Sequence, residues 1–176
     1  MDNFQQGWRV IYTKSRHEKK VATQLQDLSL DAYLPCVKKL HHWCDRKKII
    51  DAPLFPSYVF VHLKHQQHYF KSLGVEGVLS YVKVGKEIAK VSDSVINSIQ
   101  LVVGKGSDLE VCDDYLRPGK TLCIKDGPFT GFTCEVVEYK GKQKIVVRVA
   151  LLQRSILLNL SSDILMEEQA TLQMAY

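Results

Sequence analysis

Pro53-Leu54-Phe55-Pro56-Ser57-Tyr58-Val59-Phe60-Val61 is the stretch on which the reading of this chain turns. From Ser57 onward an extended backbone sends Ser57, Val59 and Val61 to one side and Tyr58 and Phe60 to the other. Taken alone the run reads as buried core, because apolar strands usually face one. Its neighbours in the sequence decide what that core belongs to.

Working outward, Trp8, Val10 and Tyr12 alternate with Arg9, Ile11 and Thr13, which predicts a first strand with one aromatic face. Ser15-Arg16-His17-Glu18 has the form of a capping box, and Val21, Ala22, Leu25 and Leu28 then recur at helical spacing. Strands are expected over Ala32–Lys39 and Leu54–Leu63, with the basic stretch from Lys38 to Lys48 protruding between them as a hairpin or loop. A short helix over His65–Leu73 and a strand over Val78–Val84 follow. Ser92 is expected to cap a helix that buries Val95, Ile96, Ile99 and Val103. The order β-α-β-β-α-β-α predicts an α+β domain, an antiparallel sheet with helices packed on one face, over residues 1–103.

Residues 104–115, Gly-containing, acidic and aperiodic, read as a flexible linker. Alternating runs then appear at Thr121–Lys125, Thr133–Tyr139, Ile145–Val149 and Ile156–Leu160, punctuated by Gly127-Pro128, Lys140-Gly141-Lys142 and Gln153-Arg154. They predict a small five-stranded antiparallel barrel over residues 116–165, followed by a frayed tail over residues 166–176.

The 176 residues are 45% hydrophobic, which is a globular composition. No apolar run approaches the roughly 18 residues of a membrane helix, and no signal-peptide layout opens the chain, so a cytoplasmic protein is expected. The five cysteines, Cys36, Cys44, Cys112, Cys123 and Cys134, are scattered without a Cys-x-x-Cys pair, which suits reduced thiols. Of the net charge of +5, residues 1–103 carry +6, residues 104–115 carry −3 and residues 116–176 carry +2. The basic field belongs to the N-terminal part.

Trp8 with Tyr12, the Pro53–Val61 run, and Pro118-Gly119 leading into Ile124-Lys125-Asp126-Gly127-Pro128-Phe129-Thr130-Gly131-Phe132 resemble NusG-type transcription factors. The resemblance spans about residues 7–165 and keeps motif order across an N-terminal NusG-type domain and a KOW domain, an SH3-like barrel. Within the family the chain looks closer to the specialised RfaH-like and UpxY-like antiterminators. The housekeeping pattern has glycine where Ser57 and Cys134 stand.

What the resemblance implies is binding. Tyr12, Leu54, Phe55, Pro56, Tyr58, Phe60, Tyr81 and Ile96 are the expected contacts to the clamp helices of the large RNA polymerase subunit, with Phe55, Tyr58 and Phe60 as anchors. The barrel is expected to recruit a small-subunit ribosomal protein or the termination factor Rho, with Phe129 and Phe132 as candidates. Burial in so small a core is the other reading of those two rings. His65-Gln66-Gln67-His68 lies near where RfaH-like proteins touch a second polymerase subunit.

The basic positions Lys14, Arg16, His17, Lys19 and Lys20, and in the hairpin His41, His42, Trp43, Arg46, Lys47 and Lys48, are the candidate nucleic-acid contacts. Lysine and arginine neutralise phosphates, and interleaved aromatic rings stack on bases. The expected ligand is upstream duplex or the displaced non-template strand; a solvated charged face is the plainer reading. His62, His65 and His68, and likewise His41, His42 and Cys44, lack the fourth ligand of a structural zinc site, so no metal or cofactor is expected. Nucleophile elbows, phosphate loops and His-Glu-x-x-His motifs are missing, and with them the case for an enzyme. A ribosome-associated RNA-binding module is the alternative, because KOW segments also occur in ribosomal proteins. The expected state is a monomer.

Overall fold

Around the aromatic run the chain forms β1 (Gly7–Thr13), α1 (Glu18–Asp27), β2 (Asp31–Tyr33), β3 (Cys36–Trp43), β4 (Arg46–Pro53), β5 (Tyr58–Leu63), α2 (Gln66–Leu73), β6 (Val78–Tyr81), β7 (Lys83–Val84), β8 (Glu87–Ile88), β9 (Lys90–Val91) and α3 (Asp93–Lys105). The computed structural model describes residues 5–43, 46–105, 109–112, 116–117, 119–124, 133–159 and 166–168. The chain divides into two units, Met1–Asn97 and Ser98–Tyr176. That division falls within α3.

In the first unit β1 is central. It pairs antiparallel with β5 on one side and with β6 and β9 on the other, while β2 pairs with the far edge of β5. The register sets Ile11 opposite Val59, and both join Val21, Ala22, Leu25, Leu30, Val61, Leu63, Val75 and Tyr81 in one core cluster. Each valine, leucine or isoleucine among them contributes about 1.5–3 kcal/mol by leaving water. The α1 stripe ends sooner than its spacing predicts: Leu28 caps the helix and is 44% exposed. The capping box does not form either. Arg16 takes a left-handed φ of 63°, the helix opens only at Glu18, and the Glu18 carboxylate binds an amide far along the chain.

The expected basic protrusion is a two-stranded hairpin, β3 on β4, with Cys36 opposite Pro53 and Trp43 opposite Arg46. The expected strand from Ala32 is interrupted at Leu34-Pro35, so β2 and β3 belong to different sheets.

The second unit contains β10 (Leu109–Cys112), β11 (Lys120–Ile124), β12 (Thr133–Tyr139), β13 (Lys142–Val149), a 3-10 turn at Ala150–Leu152, β14 (Arg154–Asn159) and β15 (Met166–Glu168). They form one antiparallel sheet in the order β10-β14-β13-β12-β11-β15. Four of these strands sit where alternation puts them. The other two come from the expected linker and the expected tail. Acidic neighbours hide β10 in the sequence, and it is held by pairing with β14, Leu109 opposite Leu158.

Both faces of this sheet are buried. Val136, Ile145, Val147, Ile156 and Leu158 fill one, and Cys112, Leu116, Val137, Val146 and Leu157 cluster on the other. Gly119 approaches β12 so closely that a Cβ there would lie 1.9 Å from the Val136 carbonyl oxygen. The Gly119 amide donates to Glu135 Oε1 at 2.7 Å, and Arg148 grips the same carboxylate through Nε and Nη2, both at 2.7 Å. Lys140 and Gly141, at φ 53° and 72°, make the tight two-residue link between β12 and β13.

Candidate docking edge and nucleic-acid interface

The β1 and β5 strands turn their second face away from the α1 core. On it the register pairs Trp8 with His62, Val10 with Phe60 and Tyr12 with Tyr58, and β2 adds Tyr33 opposite Phe60. The rings meet as pairs: Trp8 and His62 at 5.3 Å between centroids, Tyr12 and Tyr58 at 5.5 Å, Phe55 and Phe60 edge-on at 6.1 Å, Tyr33 and Phe60 at 6.3 Å. Such offset and edge-on contacts are the favoured aromatic geometries.

The expected contact residues divide by exposure. Tyr12 is 42% exposed, Tyr58 partly so, and Pro56 is on the surface. Phe55 and Phe60 are fully buried, and Leu54, Tyr81 and Ile96 are buried as well. The two phenylalanines expected as surface anchors are therefore buried, and their rings meet each other edge-on. Tyr81 stands opposite Ile11, on the α1 side of the sheet, so it does not share a face with Tyr12 and Tyr58. There it stacks on Tyr69 and shares a hydrogen bond with the Ser72 hydroxyl, and burial pushes its phenol up to about 12.

Between Phe55 and Tyr58 the chain makes a tight turn. The Tyr58 amide donates to the Phe55 carbonyl at 3.2 Å, Pro56 occupies the first inner position, and Ser57 the second at φ 65°. A positive φ at that position ordinarily calls for glycine. The Ser57 peptide is held on both sides: its amide donates to Glu18 Oε1 at 2.7 Å, and its carbonyl accepts from the Thr13 amide at 2.9 Å. Glu18 and Thr13 were not legible as parts of this edge. Their only sequence signal, the capping-box spacing at Glu18, pointed to a different bond.

Lys14, Arg16, Lys19 and Lys20 are exposed where the chain enters α1, with His17 half-buried among them. Lys20 pairs with Glu76 at 2.8 Å, and this hydrogen bond holds the Glu76 carboxyl below its usual range, helped by the charges of His17 and Lys14. The His17 ring donates from Nδ1 to the Ser15 carbonyl at 3.1 Å. In the hairpin, the backbone register sets His41 opposite Lys48, His42 opposite Lys47 and Trp43 opposite Arg46. Phe129 and Phe132 lie outside the described residues.

His65 and His68 stack edge-on at 5.3 Å, and His68 Nδ1 accepts from the Lys64 amide at 3.4 Å. Among the described residues no group of three His, Cys, Asp or Glu side chains is placed to hold a metal ion. A cleft of about 500 Å³ lies across the ends of α1 and α2, lined by Gln24, Asp27, Leu28, Lys71, Gly74, Val75 and Glu76. Among the described residues no helix is long and apolar enough to cross a membrane.

The family model described as transcription termination factor NusG matches residues 6–100 of the 176. The chain belongs to the NusG family, a family of transcription factors and not of enzymes. The transcription termination/antitermination protein NusG of Lactococcus lactis subsp. lactis (strain IL1403) is 27% identical to it over 164 residues, 87% of this chain and 88% of that protein. Thermotoga maritima NusG aligns over 94% of this chain and 98% of that one, at 20% identity and a TM-score of 0.48. The MjSpt4:Spt5 complex in conformation A aligns over 93% and 99%, at 14% identity and a TM-score of 0.32.

Proposed function

We propose that this chain is a transcription elongation and antitermination factor that docks on the clamp helices of the large RNA polymerase subunit through the edge formed by Tyr12, Pro56 and Tyr58. The observation that carries the reading is the Tyr12–Tyr58 pair, two rings 5.5 Å apart, on the surface of a NusG-family domain. Leu54, Phe55 and Phe60, neighbours of that surface in the chain, are buried. Such aromatic anchors, rigid and apolar with a polar tip, are the side chains that dominate protein interfaces.

The function needs no chemistry. A factor that binds the closed, elongating polymerase more tightly than the paused one shifts the population toward elongation, and by no more than that difference in affinity. Lys14, Arg16, His17, Lys19 and Lys20, with the hairpin from His41 to Lys48, lie against upstream duplex or the non-template strand. The C-terminal unit is a KOW-type SH3-like barrel that recruits a small-subunit ribosomal protein or Rho through the segment holding Phe129 and Phe132. Its antiparallel strands, joined in one continuous hydrogen-bonded order, support that reading. Ser57 and Cys134, where the housekeeping pattern has glycine, support a place among the specialised RfaH-like and UpxY-like antiterminators, working in the cytoplasm as a monomer.

Elongation past a defined pause in a purified transcription system is the test. The chain should shorten the pause or raise read-through, and Tyr58→Ala should remove the effect. An unchanged pause lifetime and unchanged termination with the parent protein would end the proposal.

A further inference from the structure

We infer that Glu18 is a positioning residue for the docking edge, holding the Phe55–Tyr58 turn in the one conformation that sets Tyr58 against Tyr12. The inference rests on the docking reading above and adds to it a residue that touches no partner. Glu18 is only 5% exposed, an uncommon place for a carboxylate, and its oxygen accepts from the Ser57 amide at 2.7 Å across 39 positions of sequence. The residue it grips is held at φ 65°, a left-handed conformation that a side chain bearing a Cβ ordinarily avoids. Tyr58 is the next residue, and its ring packs on Tyr12 at 5.5 Å.

The clasp is aimed by a helix and not by a loop. Glu18 opens α1, where a negative charge is favoured by the helix dipole. The start of that helix is seated in turn: the Lys14 amide donates to the Gly77 carbonyl at 2.8 Å, and a Cβ on Gly77 would stand 3.1 Å from the His17 Cβ. Thr13 closes the other side by donating its amide to the Ser57 carbonyl at 2.9 Å. Without the carboxylate, the Ser57 amide loses its acceptor and the serine relaxes out of the left-handed region. Tyr58 then leaves its place against Tyr12. A buried amide left without its acceptor costs far more than one whose partner is exchanged for another acceptor, so the loss is large enough to move the turn.

The experiment measures the affinity of the full chain for RNA polymerase core enzyme and, on the same samples, hydrogen exchange at the Ser57 amide relative to Val59. Glu18→Gln keeps the reach and an acceptor oxygen, whereas Glu18→Asp keeps the charge but is one methylene short. The expected order is Gln within about threefold of the parent, and Asp and Ala weaker by roughly tenfold or more. In the two weak variants Ser57 exchange should accelerate while Val59 stays protected, which separates a released turn from an unfolded domain. In a Ser57→Gly background the Glu18→Ala loss should shrink to about threefold, because glycine holds the left-handed conformation unaided. Equal losses in Gln, Asp and Ala, or parent-like binding by Asp and Ala while Tyr58→Ala binds poorly, would overturn the inference and leave the docking reading standing. Parent-like binding by Tyr58→Ala would remove the docking reading, and this inference with it.

Discussion

Ser57 occupies a backbone conformation suited to glycine, and its neighbours keep it there. Replacing it with glycine removes the steric penalty on the Cβ, so Ser57→Gly should stabilise the protein by about 1 kcal/mol, read as a rise of a few degrees in Tm. Gly119 is the opposite case. A methyl group there meets a carbonyl oxygen of β12 at 1.9 Å, backbone that cannot swing aside. Gly119→Ala should therefore lower stability by about 2 kcal/mol or more in denaturant titration. At Glu135 the Arg148 hydrogen bonds, with help from the Gly119 amide, hold the carboxyl below its ordinary value of 4.5. The folded state thus binds its proton less readily than the unfolded chain. The stabilisation is complete above that ordinary value and is lost as pH falls through the depressed one. Glu135→Gln should flatten the acid limb of a stability-against-pH curve below about pH 4.5, with its largest effect at neutral pH.

Among the elements, the entry to α1 combines two tasks. Its first helical residue clasps the turn before β5, while Lys14, Arg16 and Lys19 face solvent. If these three meet duplex phosphates, each releases counterions on binding. Changing all three to glutamine should reduce the slope of log affinity against log salt by roughly 2 to 3, measured by anisotropy of a labelled duplex. An unchanged slope would mean a solvated face. Lys20 belongs less to this set, since Glu76 already engages it.

For the whole molecule, α3 runs through the division between the two units, so the natural place to shorten the chain is after the helix, beyond Lys105. Residues 1–105 carry Tyr12, Pro56 and Tyr58, the edge proposed for docking, and both basic segments. They should bind polymerase within about threefold of the full chain, yet fail to recruit a ribosomal protein or Rho in a pull-down on the elongation complex. Recruitment by the shortened chain would reassign that role to the first unit.

Alternation at Trp8–Thr13 and Ser57–Val61, and the helical spacing of Val21, Ala22 and Leu25, were enough to place the central strands, the first helix and the α+β class. These are local periodicities, and local physics reads them. The four C-terminal strands with clean alternation were legible for the same reason. β10 and β15 were not, because an edge strand is defined by the partner it pairs with and its own composition here is acidic or sparse. The run from Phe55 to Phe60 remained ambiguous between core and surface, since alternation names two faces and cannot say what covers each. Tertiary structure decided that Phe55 and Phe60 are buried, that Tyr12 and Tyr58 reach the surface, and that Tyr81 belongs to the other side of the sheet. It also decided the Glu18–Ser57 clasp, a contact between residues 39 positions apart that no spacing rule encodes.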